Sequence, residues 1–165
     1  MRRLFVLIAV CFACLITLVP SQSATAAPSP EQIQAVSNRV VELINLRRAE
    51  HGLQPVNLHS VLIPCAQQYS EVIASQGKLN HTGPDGSSPG DRLTRCGYRW
   101  RVYGENLAAG FTDADRLVQA WMDSPGHRRN ILNPKVVDIG LGHAYRDADP
   151  SHYYDYWVME VGISR

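Results

Sequence analysis

VVDIGLGH, residues 136–143, and YYDYWVMEVGI, residues 153–163, are the two segments that decide the fold class of this chain. Both are rich in β-branched and aromatic residues, which are typical of strands. The segment DADPS at residues 147–151 lies between them and has the composition of a loop. The two strands are therefore predicted to form a hairpin.

Helical patterns occupy the earlier part of the chain. Apolar side chains at helical spacing, together with flanking cap and turn residues, predict helices there. Because helices come early and strands late, the order predicts an α+β fold with helices packed on a mostly antiparallel sheet. The predicted helices cover residues 30–51 after a Ser29 N-cap, 61–76, 91–95 and, after a Thr112 N-cap, the residues up to Met122, with Pro125-Gly126 as a stop.

The composition is that of an ordinary globular chain. The 165 residues are 45% hydrophobic and 19% charged, with a net charge of +1, which excludes a disordered chain, a collagen-like repeat and a basic nucleic-acid arm. Residues 28–165 carry 14 basic and 15 acidic side chains. A nearly neutral surface gives no electrostatic reason to expect nucleic acid or an anionic membrane as a partner.

The first 27 residues have the pattern of a secretory signal peptide. Arg2 and Arg3 precede an apolar run at residues 4–19, and small residues at 24–27 suit a signal peptidase. The run is shorter than the ~20 residues of a spanning helix, which argues against a permanent membrane anchor. Cysteines in this run lie too early for a lipoprotein signal. We expect a secreted, monomeric protein with a single domain over residues 28–165.

Two cysteines, Cys65 and Cys96, lie outside the signal peptide. In an oxidising compartment an even pair is most simply one disulfide. Closing about thirty intervening residues would stabilise the fold by roughly 3–4 kcal/mol on the loop-entropy model. The spacing of these two cysteines is not the C-x-x-C pattern that would indicate a reactive or metal-binding thiol. The sequence therefore predicts a structural bridge between Cys65 and Cys96.

Three side chains are the candidates for chemistry: His81, Glu105 and His127. His81 opens a loop rich in Gly, Pro and Ser, His127 follows Ser124-Pro125-Gly126, and Glu105 interrupts an extended segment at residues 98–109. Together they could bind a divalent metal or hold a water molecule for general base catalysis. No H-E-x-x-H pattern supports a metal site. The alternative is a buried structural pair of His127 and Glu105, with His81 as a loop cap.

Other conspicuous side chains have structural interpretations. His143 and His152 flank the predicted hairpin and are expected to face solvent. Trp100 and Trp121 are expected in the core, and the aromatic run at residues 153–157 is expected to pack on the sheet.

Several motifs occur in an order that resembles the CAP superfamily of cysteine-rich secretory proteins, antigen 5 and pathogenesis-related 1 proteins, in its compact bacterial SCP-like form. The resemblance covers nearly all of residues 33–163. The motifs are Asn80-His81-Thr82, Ser87-Ser88-Pro89-Gly90-Asp91-Arg92-Leu93, Gly104-Glu105-Asn106-Leu107 and Trp121-Met122-Asp123-Ser124-Pro125-Gly126-His127.

The resemblance implies an α-β-α sandwich with a central groove, in which two His and two Glu of the wider family can hold a divalent ion, often zinc. His81, Glu105 and His127 match three of these ligands. For the remaining acid the chain offers Asp123, two residues after Trp121. Relatives tend to carry Gln shortly before the final apolar residues, where this chain has Met159 and Glu160, a departure that the sequence does not explain.

Three functions remain open at this stage. The first is a secreted binding module whose groove takes a divalent metal, such as zinc, and a small or peptide-like ligand. The second is a hydrolase with Glu105 or a metal-bound water as base and His81 or His127 as acid. The third is a lipid or sterol carrier with an apolar cleft. We favour the binding module over an enzyme, because no nucleophile is evident; Ser124 is expected to be a turn or cap residue.

Overall fold

Residues 27–165 are the part of the chain that the computed structural model describes, and five helices and four strands follow one another along them. The signal peptide predicted over residues 1–27 lies outside the described residues, except for Ala27. Among residues 27–165, no helix has the length and apolar character of a membrane span. The elements are α1 (Pro30–Glu50), β1 (Asn57–Leu58), α2 (Leu62–Gln76), α3 (Pro89–Arg95), β2 (Trp100–Ala109), α4 (Ala114–Asp123), α5 (Pro125–Ile131), β3 (Asp138–Tyr145) and β4 (Asp155–Ser164).

Local hydrogen bonds explain where the long helices begin. Ser29 accepts a hydrogen bond from the backbone N–H of Gln32, and the Gln32 side chain accepts one from the backbone N–H of Ser29. This confirms the predicted cap of α1. Helix α4 begins after Asp113, whose carboxylate accepts from the backbone N–H of Arg116 at 2.9 Å. The predicted Thr112 cap is therefore wrong by one residue, because a second suitable capping residue follows it directly.

Helix α5 follows α4 directly, at a point where the sequence predicted only a stop. Ser124 has extended backbone angles, φ −87° and ψ 118°, and separates the two helices. Pro125 occupies the first turn of α5. Proline is favoured there because a helix leaves the N–H groups of its first turn without partners, and proline has no N–H. The same proline thus ends α4 and begins α5, which places His127 on a helix.

The sheet has the strand order β1-β3-β4-β2. The predicted hairpin is confirmed: β3 and β4 pair antiparallel, and β4 also pairs antiparallel with β2. The two-residue strand β1 pairs parallel with β3, so the sheet is mixed. Strand β1 was not predicted, because two residues are too short to show an alternating pattern.

Helices cover both faces of the sheet, which confirms the α+β fold and the α-β-α sandwich. Side chains of β4 alternate between the two layers, as the pleat of a strand requires. Trp157, Met159 and Val161 pack into the core shared with α1 and α4. Tyr156 and Val158 pack into the core shared with α2. Most of the apolar burial that stabilises the chain lies in these two layers.

Helix α2 lies unusually close to the sheet, because β3 carries glycine where the helix crosses it. A Cβ atom at Gly142 would lie 2.3 Å from the backbone of Ala66. Helix α2 is joined to α3 by the predicted disulfide, which is present between Cys65 and Cys96 with a Cα–Cα distance of 5.9 Å. The disulfide ties α3 to α2, and Gly90 of α3 contacts Trp100 at the start of β2.

Two of the structural interpretations need correction. Trp121 is buried as predicted, but Trp100 is only partly buried and donates from its ring nitrogen to the backbone at Gly90. His143 does not face solvent: it is 7% exposed, and its Nε2 lies 2.8 Å from Oδ1 of Asp155. The prediction for His143 was wrong because it took the end of the strand for the edge of the fold, whereas the imidazole packs 4.5 Å from the ring of Trp157 on the neighbouring strand.

Candidate functional site

The centre of the candidate site is a hydrogen bond between His81 and Glu105. Nδ1 of His81 lies 2.6 Å from Oε1 of Glu105. Strand β2 buries the carboxylate, which is 1% exposed, whereas the His81 side chain is 54% exposed. A carboxylate can only accept, so Nδ1 carries the proton and Nε2 lies on the opposite edge of the ring. The pair therefore presents an oriented imidazole to solvent.

Arg92 holds the other side of the same carboxylate. Its Nη2 donates to Oε2 of Glu105 at 2.5 Å, and its Nη1 donates at 3.0 Å to the backbone carbonyls of His81 and Ser87. The guanidinium carbon lies 3.4 Å from the centre of the Tyr69 ring. A buried carboxylate needs such a partner, because burial without a counter-charge is costly. The ion pair with Arg92 thus explains how Glu105 can lie within an apolar strand.

A second carboxyl group, Glu160, lies beside Glu105. The two residues are register partners in β4 and β2, and both are buried. Burial raises the pKa of Glu160 well above its usual value, and the negative charge of Glu105 raises it further. Glu160 is therefore the carboxyl group of the pair that keeps its proton to higher pH. Sequence reasoning did not assign it a role, although a glutamate in an apolar strand was the same signal that drew attention to Glu105.

His127 lies near His81, on α5. The backbone carbonyl of His127 accepts from the side chain of Asn106 at 3.1 Å, which ties the helix to β2. Burial lowers the pKa of the His127 imidazole, and the neighbouring His81 lowers it further. The effect of His81 on this pKa indicates that the two imidazoles lie within electrostatic range of each other.

The Gly104-Glu105-Asn106 motif has a structural explanation in this contact. Asn130 of α5 donates to the backbone carbonyl of Glu105 at 3.0 Å and to the Asn106 side chain at 2.8 Å. A Cβ atom at Gly104 would lie 2.6 Å from the Asn130 side chain. Gly104 leaves room for the Asn130 side chain. Glu105 places its carboxylate in the site, and the Asn106 side chain forms hydrogen bonds with α5. The three positions thus act in one contact between β2 and α5.

Asp123, the candidate for the fourth ligand, lies elsewhere. It is exposed, accepts a hydrogen bond from Gln119 one helical turn earlier at 2.8 Å, and lines the surface between α4 and α1. This hydrogen bond stays within α4 and does not connect Asp123 to the His81–Glu105 pair. Its position near the end of α4 turns the side chain to the solvent face of that helix.

The donor set can be compared with the requirements of a divalent ion. No group of three or more His, Cys, Asp or Glu residues is placed to hold an ion among residues 27–165. Both oxygens of Glu105 are engaged by His81 and Arg92. The donors that remain are the imidazoles of His81 and His127, with Glu105 behind the first ring. A carboxylate on the second nitrogen of a ligating histidine is a common outer-shell arrangement, and imidazole suits zinc and copper.

Comparisons with known proteins bear on the family and the fold of the chain. A model of the cysteine-rich secretory protein family, CAP, matches residues 41–161. The protein YkwD of Bacillus subtilis is 35% identical over 119 residues, which make up 72% of this chain and 46% of YkwD. The chain therefore spans less than half the length of that relative.

Solved structures show the same fold at lower identity. An outer surface protein of Borrelia burgdorferi has a TM-score of 0.70 at 22% identity, over 84% of this chain and 97% of that protein. An extracellular protein containing an SCP domain from Bacillus anthracis has a TM-score of 0.69 at 23% identity, over 86% of this chain and 45% of the other.

Proposed function

Because the chain belongs to the CAP family of cysteine-rich secretory proteins, we propose that it is an exported binding module whose site at His81 and His127 takes a divalent cation and a small or peptide-like ligand. The observation that carries this proposal is the hydrogen bond from His81 to the buried Glu105. This bond orients an exposed imidazole and leaves its Nε2 for a ligand.

His81 and His127 would hold the cation, and Glu105 would orient the first ring from behind. Zinc bound there would supply a Lewis acid with open coordination positions. The chain's own residues prepare the site: Arg92 stabilises the negative charge of Glu105, and α5 carries His127 to the edge of β2. Two protein ligands leave room for donor atoms of a peptide or another small ligand.

The geometry supports binding better than hydrolysis. A general base needs a lone pair that can reach a water molecule, but both oxygens of Glu105 already accept strong hydrogen bonds. Ser124 supplies backbone hydrogen bonds between α4 and α5, as expected for a cap residue. Its side chain makes no capping hydrogen bond to α5.

Zinc titration tests the proposal. The protein is produced from its full sequence in a secreting host, purified without a histidine tag, and titrated by calorimetry. We expect one zinc ion per chain and at least a tenfold loss of affinity for His81→Asn and for His127→Asn. His51→Asn is the matched control, because His51 is exposed and bonded only to its own helix. Unchanged zinc affinity in the double variant of His81 and His127 would overturn the assignment.

A separate NMR experiment tests the ligand. A pool of short peptides is added to the zinc-loaded and to the zinc-free protein, and backbone amide shifts are compared. We expect changes around His81 and His127 that are larger with zinc. Shifts confined to other surfaces would contradict a peptide site between these residues.

Lipid carriage is a second candidate, supported by a cavity of about 700 Å³ at the start of α1. Ile33, Val36, Tyr153 and Trp157 are among the side chains that line it. Such a size and apolar lining suit a hydrophobic ligand. We expect uptake of a fluorescent fatty acid that Val36→Trp abolishes, whereas Leu58→Trp, at an exposed site, preserves it. Equal uptake by both variants would exclude this cavity as the lipid site.

A further inference from the structure

Arg92 holds His81 in two ways, one direct and one through Glu105. It binds the carboxylate that orients the imidazole, and it binds the peptide carbonyl of His81 itself. Tyr69, whose ring lies against the guanidinium, donates from its hydroxyl to the backbone carbonyl of Asn80. The chain immediately before His81 is therefore held by Tyr69, and the residue itself is held by Arg92.

We propose that Arg92 and Tyr69 form a brace that positions His81 for binding. The brace acts through other groups: it fixes the backbone on which His81 stands and the carboxylate that sets its ring. Neither member needs to touch the ligand. The proposal rests on the proposed function only in its metal-binding measurement, because the orientation of the ring can be observed without a ligand.

The brace is itself rigidly mounted. Helix α3 begins with a capping box at Ser88 and Asp91, directly before Arg92. The Cys65–Cys96 disulfide joins the end of α3 to α2, the helix that also carries Tyr69. Arg92 and Tyr69 therefore project from two elements that are covalently linked. Because Arg92 is already held in place, fixing His81 through it costs little additional conformational entropy.

The geometry requires arginine in particular. Two nitrogens of the guanidinium donate to three acceptors, and its flat face lies on the Tyr69 ring. The single ammonium of a lysine cannot reproduce this combination of fork and stacking. Arg92→Lys keeps the charge near Glu105 but loses the link to the backbone of His81. It therefore separates positioning from charge neutralisation.

Arg48 supplies a matched control. It is also a buried arginine, 1% exposed, but its guanidinium donates to the backbone carbonyls of Gln54, Ile131, Asn133 and Val136. None of these hydrogen bonds involves Glu105 or His81. Arg48→Lys should therefore destabilise the fold through the loss of comparable bonds while leaving the site unchanged.

The test measures the tautomer of His81 by long-range 1H–15N NMR, zinc affinity by calorimetry, and thermal unfolding for each protein. In the wild type we expect His81 in one tautomer with the proton on Nδ1. In Arg92→Lys we expect averaged tautomers and at least a tenfold loss of zinc affinity. Arg48→Lys should lower the unfolding temperature to a similar extent yet retain the wild-type tautomer and zinc affinity.

Two results would overturn the brace. One is a folded Arg92→Lys protein in which His81 keeps the wild-type tautomer. The other is the same averaging of His81 tautomers in Arg92→Lys and in Arg48→Lys. If Arg92→Lys does not fold, Tyr69→Phe decides, because it keeps the ring and removes only the bond to Asn80. We expect partial averaging in Tyr69→Phe, and an unchanged tautomer there contradicts the brace. If the wild type binds no zinc, the proposed function fails, but the tautomer measurement still decides the role of Arg92 and Tyr69.

Discussion

Glu160 on β4 lies directly opposite Glu105 on β2, and both residues are buried. Glu105 accepts hydrogen bonds from His81 and Arg92, and burial beside this charge raises the pKa of Glu160, so Glu160 is the member of the pair that keeps a proton. Its Oε2 has no hydrogen-bond partner among the described residues. The folded protein therefore carries a protonated acid next to an ionised one, and the guanidinium of Arg92 balances the ionised one.

Replacing Glu160 by Gln should stabilise the protein in a pH-dependent way. The pKa of Glu160 is raised above its ordinary value of 4.5 in the folded state. The unfolded chain thus releases a proton that the folded chain retains, and wild-type stability falls as pH rises above that value. Glutamine keeps a donor toward Glu105 and does not ionise.

Urea unfolding from pH 4 to pH 8 checks this prediction. The two proteins should have similar stability near pH 4, and the advantage of Glu160→Gln should grow by up to ~1.4 kcal/mol per pH unit until the folded-state pKa is passed. Glu71→Gln is the control, because Glu71 is exposed on α2. A difference that does not change with pH would contradict the proton assignment.

The imidazole of His127 should respond to a change at His81. Burial is the first cause of its lowered pKa, and the neighbouring His81 is the second. His81→Asn removes only the second cause, so the pKa of His127 should rise but stay below 6.5. NMR titration of the ring measures the change. His51→Asn should leave the pKa of His127 as it is, and a fall in that pKa for His81→Asn would show that the two rings do not repel.

Loss of the disulfide should cost roughly 3–4 kcal/mol of unfolding free energy, because the Cys65–Cys96 bridge spans 31 residues of sequence. The double variant Cys65→Ala, Cys96→Ala should be less stable by that amount in denaturant. A dithiol reductant should destabilise the wild type similarly and leave the variant unaffected. A wild type whose stability is insensitive to complete reduction would show that the bridge adds nothing to folding.

The close approach of α2 to β3 predicts different costs for two Gly-to-Ala changes. At Gly142 a Cβ would lie 2.3 Å from the backbone of Ala66, so Gly142→Ala should cost roughly 3 kcal/mol or more by pushing helix and strand apart. Gly52 has φ +68° but open space around it, so Gly52→Ala should cost only ~1–2 kcal/mol. Denaturant unfolding compares the two, and equal costs would contradict the tight contact.

Features that depend on neighbouring residues could be predicted well. The Ser29 capping box joins positions three apart, so the sequence pattern contains the whole interaction. The hairpin of β3 and β4 was predicted because its strands are close in sequence and strongly patterned. The Thr112 cap was wrong because two suitable capping residues adjoin each other, and the choice depends on the path of the backbone.

The candidate site could be predicted only in part. His81, Glu105 and His127 were singled out, and the structure brings the first two into contact. Arg92 was not recognised as their partner, since arginine on a short helix is usually solvated and its approach to Glu105 needs the β2 strand in place. The buried position of Glu160 likewise depends on its register with β2.

The amino-acid sequence by itself determined the helices other than α5, the hairpin, the cysteine pair and the side chains able to do chemistry, because each of these is set by local pattern or by residue type. Tertiary structure alone decided which charges meet. Strand pairing and the covalent link between α2 and α3 bring Arg92, Glu105 and Glu160 together from distant parts of the chain. In a buried space the contacts among such groups, and not their spacing along the chain, set which of them carries a charge and which way an imidazole points.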